Sequence, residues 1–296
     1  MADRTLSVGL VQRAVSEDRA ENLRATADRV REARDRGARL IVLGELFASR
    51  YFCQVQDPAH FALAEPVPGP TTAAMSALAA ECGVVLVVPL FERRAPGLCH
   101  NSLVVLGAQG ETLGLYRKLH VPDDPQFLEK FYFTPGEGGF LVCPTPGATL
   151  GTLICWDQWF PEAARLTALH GAEIIAFPTA IGWMPSEKAA EGAAQLDAWR
   201  TIQRAHAIAN GVFVISVNRV GFEPSPAGGI EFWGHSFVCD PQGVVLAEAG
   251  EGEELLVTEL DLSRIEAVRA WWPFLRDRRV DAYAGLTERW LGGAPR

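Results

Sequence analysis

The chain has 296 residues, of which 48% are apolar and 21% charged, and its formal net charge is -9. This length and apolar fraction allow a large hydrophobic core and exclude wholesale disorder, and no apolar run approaches the length needed to span a bilayer. The acidic balance argues against binding to nucleic acid or to anionic membranes.

Strands and helices alternate along the first half of the chain. Apolar periodicity and Gly or Pro stops predict strands at 6–12, 40–43, 84–91, 102–106 and 112–117, and helices at 18–36 and 70–82. The segment 119–139 is rich in Pro, Gly and aromatic residues and is predicted to be a long loop. The second half repeats this order, with predicted strands at 150–154, 174–177, 212–217, 236–239 and 244–247 and helices at 161–170 and 196–210.

Three pairs of segments support an internal duplication. Residues 37–43 (GARLIVL) match 171–177 (GAEIIAF), residues 83–88 match 211–216, and His100 with Gln109-Gly110 matches His235 with Gln242-Gly243. The similar offsets predict two α/β halves, each a sheet covered by helices on one face, and the two sheets packing together to give four layers. An eight-fold β/α barrel is the alternative, but consecutive strands after Gly83 and Gly211 break its alternation.

We find no convincing linker, so a single domain over 1–296 is predicted. Within it, 264–296 forms an aromatic C-terminal tail that includes Trp271, Trp272, Tyr283 and Trp290. Such a tail is too apolar for a free end. It is predicted to pack on its own domain or on a partner subunit.

The six cysteines are scattered, with no C-x-x-C pair and no zinc-finger spacing. Together with the lack of a signal-peptide core, this predicts a reduced, cytoplasmic chain without a structural metal. Cys155 differs from the others because it ends an apolar strand shortly before a predicted helix at Pro161. Nearby N–H groups and a helix terminus would favour the thiolate, and the N–H of Trp156 could face an oxyanion. A buried structural cysteine is the alternative.

Two further polar residues follow predicted strands. Glu45 comes after the strand 40–43, and Lys118 comes after the strand 112–117. Strand ends of this kind gather at one edge of an α/β sheet. There a carboxylate can take the proton of a thiol, and an ammonium can stabilise a negatively charged intermediate. Taken singly, each of the two could also be an ordinary surface charge.

These strand-end residues resemble the nitrilase superfamily of carbon-nitrogen hydrolases. The similar strings are 44–47 (GELF), 116–122 (YRKLHVP) and 153–162 (LICWDQWFPE), together with Asn101-Ser102 and Asn218-Arg219. The string around the cysteine and 129–133 (EKFYF) are most similar to the N-carbamoylputrescine amidase branch. One departure is Gly44, where Pro is common; Gly can adopt most backbone conformations.

The resemblance implies a four-layer αββα sandwich and an amidohydrolase without metal or organic cofactor. It implies Glu45 as general base, Lys118 as oxyanion stabiliser, Cys155 as nucleophile and Glu129 as a second carboxylate that orients the substrate or the lysine. It also implies a homodimer or a larger homo-oligomer.

The implied substrate is a small N-carbamoyl amine resembling N-carbamoylputrescine. Trp156 is predicted to contact it, and Asp157 and Glu187 are candidates for pairing with its distal ammonium. Helix capping for Asp157 and a solvated loop position for Glu187 are the alternatives. Met184 stands about where the plant members of that branch have an acidic residue. The loss of that charge weakens the putrescine assignment and leaves room for another carbamoyl amine, a ureido acid or a simple amide.

Three rival hypotheses remain open. A Cys–His hydrolase would use His120, His206 or His235 as its base. A carboxylate-bearing substrate would need Arg117 or Arg219 near the pocket. A non-catalytic small-molecule binding protein is the third, although the complete Cys-Glu-Lys set with Glu129 argues against it.

Overall fold

The computed structural model of the protein describes residues 4–292. Residues 1–3 and 293–296 of the predicted domain and tail lie outside the described residues. The described part forms these strands: β1 (Thr5–Gln12), β2 (Leu40–Leu43), β3 (Val85–Ala95), β4 (Leu98–Leu106), β5 (Thr112–Arg117), β6 (Leu141–Thr145), β7 (Ala148–Thr152), β8 (Ile174–Pro178), β9 (Gly182–Trp183), β10 (Phe213–Val217), β11 (Val220–Glu223), β12 (Ile230–Trp233), β13 (Phe237–Cys239), β14 (Val245–Glu248) and β15 (Glu254–Asp261). The α-helices are α1 (Arg19–Asp35), α2 (Pro70–Cys82), α3 (Pro161–Leu169), α4 (Lys188–Asn210) and α5 (Ser263–Trp271).

Two six-stranded sheets have the same internal order. The first runs β15-β1-β2-β3-β4-β5 and the second runs β6-β7-β8-β10-β13-β14. In each sheet three neighbouring strands are parallel, and the next two are antiparallel. The predicted pair of similar halves is therefore confirmed in the strand topology, and the barrel alternative is wrong.

The two halves also correspond residue by residue in the pairing of their strands. Gly9 of β1 pairs with Ile41 of β2, and Gly151 of β7 pairs with Ile175 of β8. The two isoleucines are separated by the offset of 134 residues that the matching segments have in the sequence.

Alternation along β2 separates two apolar layers. Leu40 and Val42 belong to the cluster between the two sheets, whereas Ile41 and Leu43 pack with residues of α1 and α2 on the outer face. Helices α3 and α4 cover the outer face of the second sheet. The result is the predicted αββα sandwich, because each sheet is buried on both faces.

Several elements differ from the prediction. Helix α4 begins at Lys188 rather than at 196, because Trp183 packs against its small residues and donates its indole N–H to the carbonyl of Gly192 (3.0 Å). The prediction missed β6, β9, β11, β12, β15 and α5. Among the described residues, no helix is both long and apolar enough to cross a membrane.

Candidate active site

Glu45 lies just beyond the end of β2 and is fully buried. Its Oε1 accepts hydrogen bonds from Asn101 Nδ2 (2.7 Å) and Lys118 Nζ (2.9 Å). Within residues 4–292, no donor reaches its Oε2. One oxygen is thus held in place while the other can still accept a proton. A Cβ at the preceding Gly44 would meet only the backbone carbon of Asn218, at 4.0 Å, so the departure at position 44 is sterically neutral.

Lys118 follows β5 and is 1% exposed. Its Nζ donates to Glu45 Oε1 (2.9 Å) and to Glu129 Oε2 (2.7 Å). Burial alone would lower the pKa of this amine, but the two carboxylates raise the pKa well above its usual value. Lys118 is therefore held as an ammonium.

Glu129 begins a short 3-10 turn in the long loop and is fully buried. Tyr51 Oη donates to its Oε1 (2.7 Å), and Lys118 Nζ donates to its Oε2. Burial raises the pKa of this carboxyl, and the adjacent ammonium opposes the shift. The structure thus brings Glu45, Lys118 and Glu129 into one hydrogen-bonded cluster.

Cys155 starts a 3-10 turn, Cys155–Trp159, three residues after β7 ends. Its φ is +40°, a left-handed conformation that is unusual for a residue with a side chain, and its Sγ lies 3.9 Å from the carbonyl oxygen of Ala180. Burial and the charge of Glu45 raise the pKa of this thiol well above its usual value, while Lys118 opposes them. The expectation that these surroundings favour the thiolate is therefore wrong: the resting group is a thiol that needs a base.

The N–H of Trp156, predicted to face an oxyanion, is not used by any hydrogen bond among residues 4–292. Trp156 also lines the pocket that reaches Cys155. Both features leave this residue available to a bound molecule.

Asp157 is fully buried and does not line that pocket. Its Oδ2 accepts from Tyr116 Oη (2.8 Å) and Ile154 N (2.9 Å), and its Oδ1 accepts from the backbone N–H of His120 (3.0 Å). The prediction that Asp157 pairs with a substrate ammonium is thus wrong. Because its carboxylate caps the turn that carries Cys155, the capping alternative is the correct one.

The pocket above Cys155 has a volume of about 290 Å³. Cys155 and Glu129 line it, and Trp156, Trp159, Phe127, Met184 and Trp233 contribute apolar walls. Its other two carboxylates are Asp124 and Glu187, and no Lys, Arg or His is among the described lining residues. Such a pocket is electrostatically suited to a positively charged group.

Glu187 comes directly before α4 and is partly exposed. Its Oε1 accepts from Gln195 Nε2 (3.2 Å), one of two residues of α4 that line the pocket. Glu187 therefore lies where a substrate-binding residue was predicted, rather than on a solvated loop away from the pocket.

Sequence reasoning missed three residues of the site: Tyr51, which bonds to Glu129; Asp124 on the pocket wall; and the role of Asn101, which was noted only as part of the resemblance. Tyr51 and Asp124 lie in irregular segments, where periodicity carries no information. Only the run of acidic and Pro residues at 122–125 could have indicated a wall of the pocket.

The histidines of the rival Cys–His mechanism are engaged elsewhere. His120 Nδ1 bonds to Asp157 (2.7 Å), and its ring stacks on Phe160. His206 Nε2 bonds to the carbonyl of Gln158 (2.7 Å), and burial lowers its pKa. His235 lies beside Glu248, 3.6 Å away.

The two arginines considered for a carboxylate-bearing substrate are also used elsewhere. Arg117 forms a two-pronged ion pair with Glu92 (2.6 and 2.7 Å), and Arg219 pairs with Glu223 (2.7 Å). Neither arginine lines the pocket.

The sandwich and the buried Cys-Glu-Lys cluster agree with the family comparison. The family model of the carbon-nitrogen hydrolases matches residues 7–270, and the chain belongs to that family and to the nitrilase superfamily. The protein is thus a hydrolase of carbon-nitrogen bonds other than peptide bonds.

Particular relatives share nearly the whole chain. The N-carbamoylputrescine amidase of Solanum lycopersicum is 46% identical over 291 residues, which cover 96% of this chain and 95% of the relative. A citrullinase of Francisella tularensis is 37% identical over 96% of this chain and 99% of its own. The crystal structure of a carbon-nitrogen hydrolase from Helicobacter pylori G27 has a TM-score of 0.94 and 47% identity, covering 97% of this chain and all of that one (100%).

Proposed function

We propose that the protein is an amidohydrolase of an N-carbamoyl amine whose far end carries an ammonium, with N-carbamoylputrescine as the leading candidate. The observation that carries this proposal is the charge of the pocket. Asp124 and Glu187 line it together with Glu129 and Cys155, and no described lining residue is cationic. The name of the tomato relative supports the same substrate.

In the proposed mechanism, Cys155 Sγ attacks the carbamoyl carbon while its proton passes to Glu45 Oε2, the oxygen left without a donor. The carbonyl oxygen becomes an oxyanion, which Lys118 Nζ and the N–H of Trp156 stabilise. Glu45 then returns the proton to the leaving nitrogen as the C–N bond breaks. A carbamoyl group remains bound to sulfur.

Water completes the cycle. The water oxygen attacks the carbamoyl carbon while Glu45 takes a proton from the water. The C–S bond then breaks, and Glu45 returns the proton to Sγ. The released carbamic acid loses CO2, so that the products are one amine, one ammonia and CO2. Glu129 positions Lys118 throughout, since it holds Nζ at 2.7 Å.

The raised pKa of Cys155 suits this order of events. Burial and the Glu45 carboxylate keep the proton on sulfur until a substrate carbon is in place. The proton then passes to Glu45, whose other carboxylate oxygen is already held by Asn101 and Lys118.

A ureido amino acid such as citrulline is the second candidate. The indole N–H groups of Trp159 and Trp233, both on the pocket wall, are buried and have no partner within the described part of the chain. They could donate to a carboxylate, and a relative is a citrullinase. We favour the amine because the charged groups of the wall are all acidic.

Neutralising Asp124 and Glu187 tests whether these two wall carboxylates bind the distal ammonium. In Glu187→Gln and Asp124→Asn, we expect KM for a carbamoylated diamine to rise about tenfold or more while KM for a neutral aliphatic amide stays unchanged. Glu191→Gln is the matched control, because Glu191 is an exposed acid in the first turn of α4 that does not line the pocket. Equal KM values for the diamine in all variants would contradict the role of the acidic wall.

We also propose that the enzyme acts as a homodimer or larger homo-oligomer in the cytoplasm. All six cysteines are unpaired, and a nucleophile that must remain a thiol suits a reducing compartment. The exposed apolar side chains of the tail, such as Trp271 and Trp290, support the assembly.

A further inference from the structure

Arg219 lies beside the catalytic cluster without lining the pocket. It follows β10 and is 2% exposed. Its Nη2 donates to the backbone carbonyl oxygens of Glu45 (2.7 Å) and Leu46 (3.0 Å), and its Nη1 donates to Glu223 Oε1 (2.7 Å). Leu46 has a φ of +50°, so the guanidinium holds an unusual backbone turn directly after the predicted base.

Glu223 connects this arginine to the other carboxylate of the cluster. It ends β11 and is 2% exposed. Its Oε2 accepts the backbone N–H of Tyr51 (2.5 Å), and the phenol of the same tyrosine donates to Glu129 Oε1 (2.7 Å). Burial and the Glu129 charge raise the pKa of Tyr51, so the phenol keeps its proton and remains a donor.

These bonds close a ring. Lys118 binds the carboxylate of Glu45, and Arg219 binds its backbone carbonyl. From Lys118, hydrogen bonds continue through Glu129 to Tyr51. From Tyr51 they return through Glu223 to Arg219. We propose that Arg219 and Glu223 form a positioning pair that sets the distance and angle of Glu45 and Glu129 relative to Cys155. This inference rests on the roles proposed for those three residues.

Stability alone is a poor explanation of the pair. Taking two charges out of water has a high cost, and apolar residues of similar volume often replace a buried ion pair without loss of stability. Apolar residues cannot bind two backbone carbonyls and a carboxylate at once, as the planar guanidinium of Arg219 does. Because a misplacement of 1 Å can lower a rate by about 10²-fold, fixing Glu45 from both ends has a direct kinetic value.

The test compares Arg219→Gln, Arg219→Lys, Glu223→Gln and Tyr51→Phe with the wild-type enzyme in ammonia release from a carbamoylated diamine. We expect kcat to fall about tenfold to 10²-fold in Arg219→Gln and Glu223→Gln, with KM changed less than about threefold, since neither residue lines the pocket. Arg219→Lys should recover part of kcat. A Glu223→Gln/Tyr51→Phe double variant should lose less than the product of the single losses, because both interrupt one path.

Arg264→Gln is the matched control. Arg264 of α5 pairs with the buried Asp240, the residue after β13 (2.9 Å), and neither residue lines the pocket, so the loss of this pair should lower Tm but leave kcat unchanged. If folded Arg219 and Glu223 variants keep wild-type kcat, or lose no more than Arg264→Gln, the positioning role is wrong. If the Arg219 variants do not fold, Glu223→Gln decides by the same criterion.

A second measurement does not depend on substrate. The Glu45 and Glu129 charges raise the pKa of Cys155, so displacing them should move the pH midpoint of Cys155 alkylation in Glu223→Gln, whereas Arg264→Gln should leave it unchanged. An unmoved midpoint overturns the inference. If the wild-type enzyme releases no ammonia from any carbamoylated amine or amide, the proposed function fails instead, and the alkylation midpoint still tests the ring.

Discussion

Lys118 shows how burial and charge define the task of one side chain. Its ammonium fills the space between Glu45 Oε1 at 2.9 Å and Glu129 Oε2 at 2.7 Å, and it is one of only three lysines in a chain with 24 arginines. A bulky planar guanidinium presents its donors in a different geometry from a compact ammonium. The cluster therefore requires lysine at this position.

We predict that Lys118→Arg abolishes measurable turnover, with a loss in kcat of at least about 10²- to 10³-fold, although the positive charge is retained. Ammonia release measures the loss, and near-ultraviolet circular dichroism checks the fold. Lys130→Arg is the control, because Lys130 is exposed and should tolerate the change. A fully active Lys118→Arg enzyme would prove the assignment wrong.

The protonation of Cys155 gives a prediction of pH dependence with a definite sign. Glu129 is one of the charges that raise the pKa of this thiol. Removing that charge in Glu129→Gln should lower the pKa, so alkylation of Cys155 by a neutral reagent should reach its midpoint at a lower pH. The midpoint is measured by intact mass after timed labelling.

Activity in Glu129→Gln should nevertheless fall, because Lys118 loses one of its two carboxylate partners. For the alkylation midpoint, Glu187→Gln serves as the control, because Glu187 lines the pocket but does not contribute to the pKa shift of Cys155. An upward or absent shift in Glu129→Gln would contradict the electrostatic account of the cluster.

At this scale, residue type and strand position predicted which groups would meet, because Glu45, Lys118 and Cys155 each follow a strand. The role of a side chain that depends on its hydrogen-bond partners could not be predicted from the sequence. Asp157 was interpreted as a substrate contact since nothing in the sequence indicates that four donors, including Tyr116 and His120, converge on it.

At the scale of elements, the strand before Cys155 depends on close packing. A Cβ at Gly151 of β7 would lie 2.2 Å from Thr167 Cγ2 of α3 and 2.9 Å from Ala172 Cβ. At the equivalent Gly9 of β1, the nearest contacts would be Ala38, Ala33 and Ile41, at 3.2 to 3.3 Å. In both halves the missing side chain of a glycine thus leaves space for an alanine that follows a helix: Gly151 for Ala172 and Gly9 for Ala38.

We predict that Gly151→Ala lowers the free energy of unfolding by about 1–3 kcal/mol, because α3 must move away from the sheet. Gly9→Ala should cost less, since its neighbours need to shift by only a few tenths of an ångström. Urea denaturation of both variants compares the two halves directly. Equal stability of Gly151→Ala and the wild-type protein would show that α3 is not closely packed on β7.

The elements that could be predicted are those with a local signal. Helix α2 has its predicted bounds because Pro70 and Gly83 mark its two ends, and β2 is an apolar run that stops at Gly44. Strand β5, which begins shortly after Gly110, also has its predicted bounds. By contrast, β9 has two residues and exists only through its pairing with β12, and β15 is defined by antiparallel pairing with β1 from the far end of the chain. Pairings at such sequence separation leave little local trace.

At the scale of the whole molecule, the C-terminal segment remains apolar and exposed. Trp271 is 86% exposed and Trp290 81% exposed, and Val280 and Leu286 are also open to solvent. A surface of this kind is typical of a protein–protein interface. The segment from 264 also has seven Arg against four acidic residues, opposite in sign to the acidic remainder of the chain, so a second copy offers it complementary charge.

We therefore predict that the full chain sediments as a dimer or larger assembly and that a chain ending after Val268 sediments as a monomer. Analytical ultracentrifugation at several concentrations measures this. The triple variant Trp271→Ser/Trp272→Ser/Trp290→Ser serves as a check that keeps the length of the chain. Unchanged sedimentation after truncation would show that the tail does not hold subunits together.

Cys155, activated by Glu45 and Lys118, is proposed to hydrolyse the C–N bond of a carbamoylated amine. The most direct measurement is ammonia release from a panel of carbamoylated diamines, ureido acids and aliphatic amides, with Cys155→Ala as the control. We predict the highest kcat/KM for a carbamoylated diamine, no release by Cys155→Ala, and a carbamoyl mass adduct on Cys155 in the trapped wild-type enzyme. No ammonia from any compound, or undiminished release by Cys155→Ala, would contradict the account.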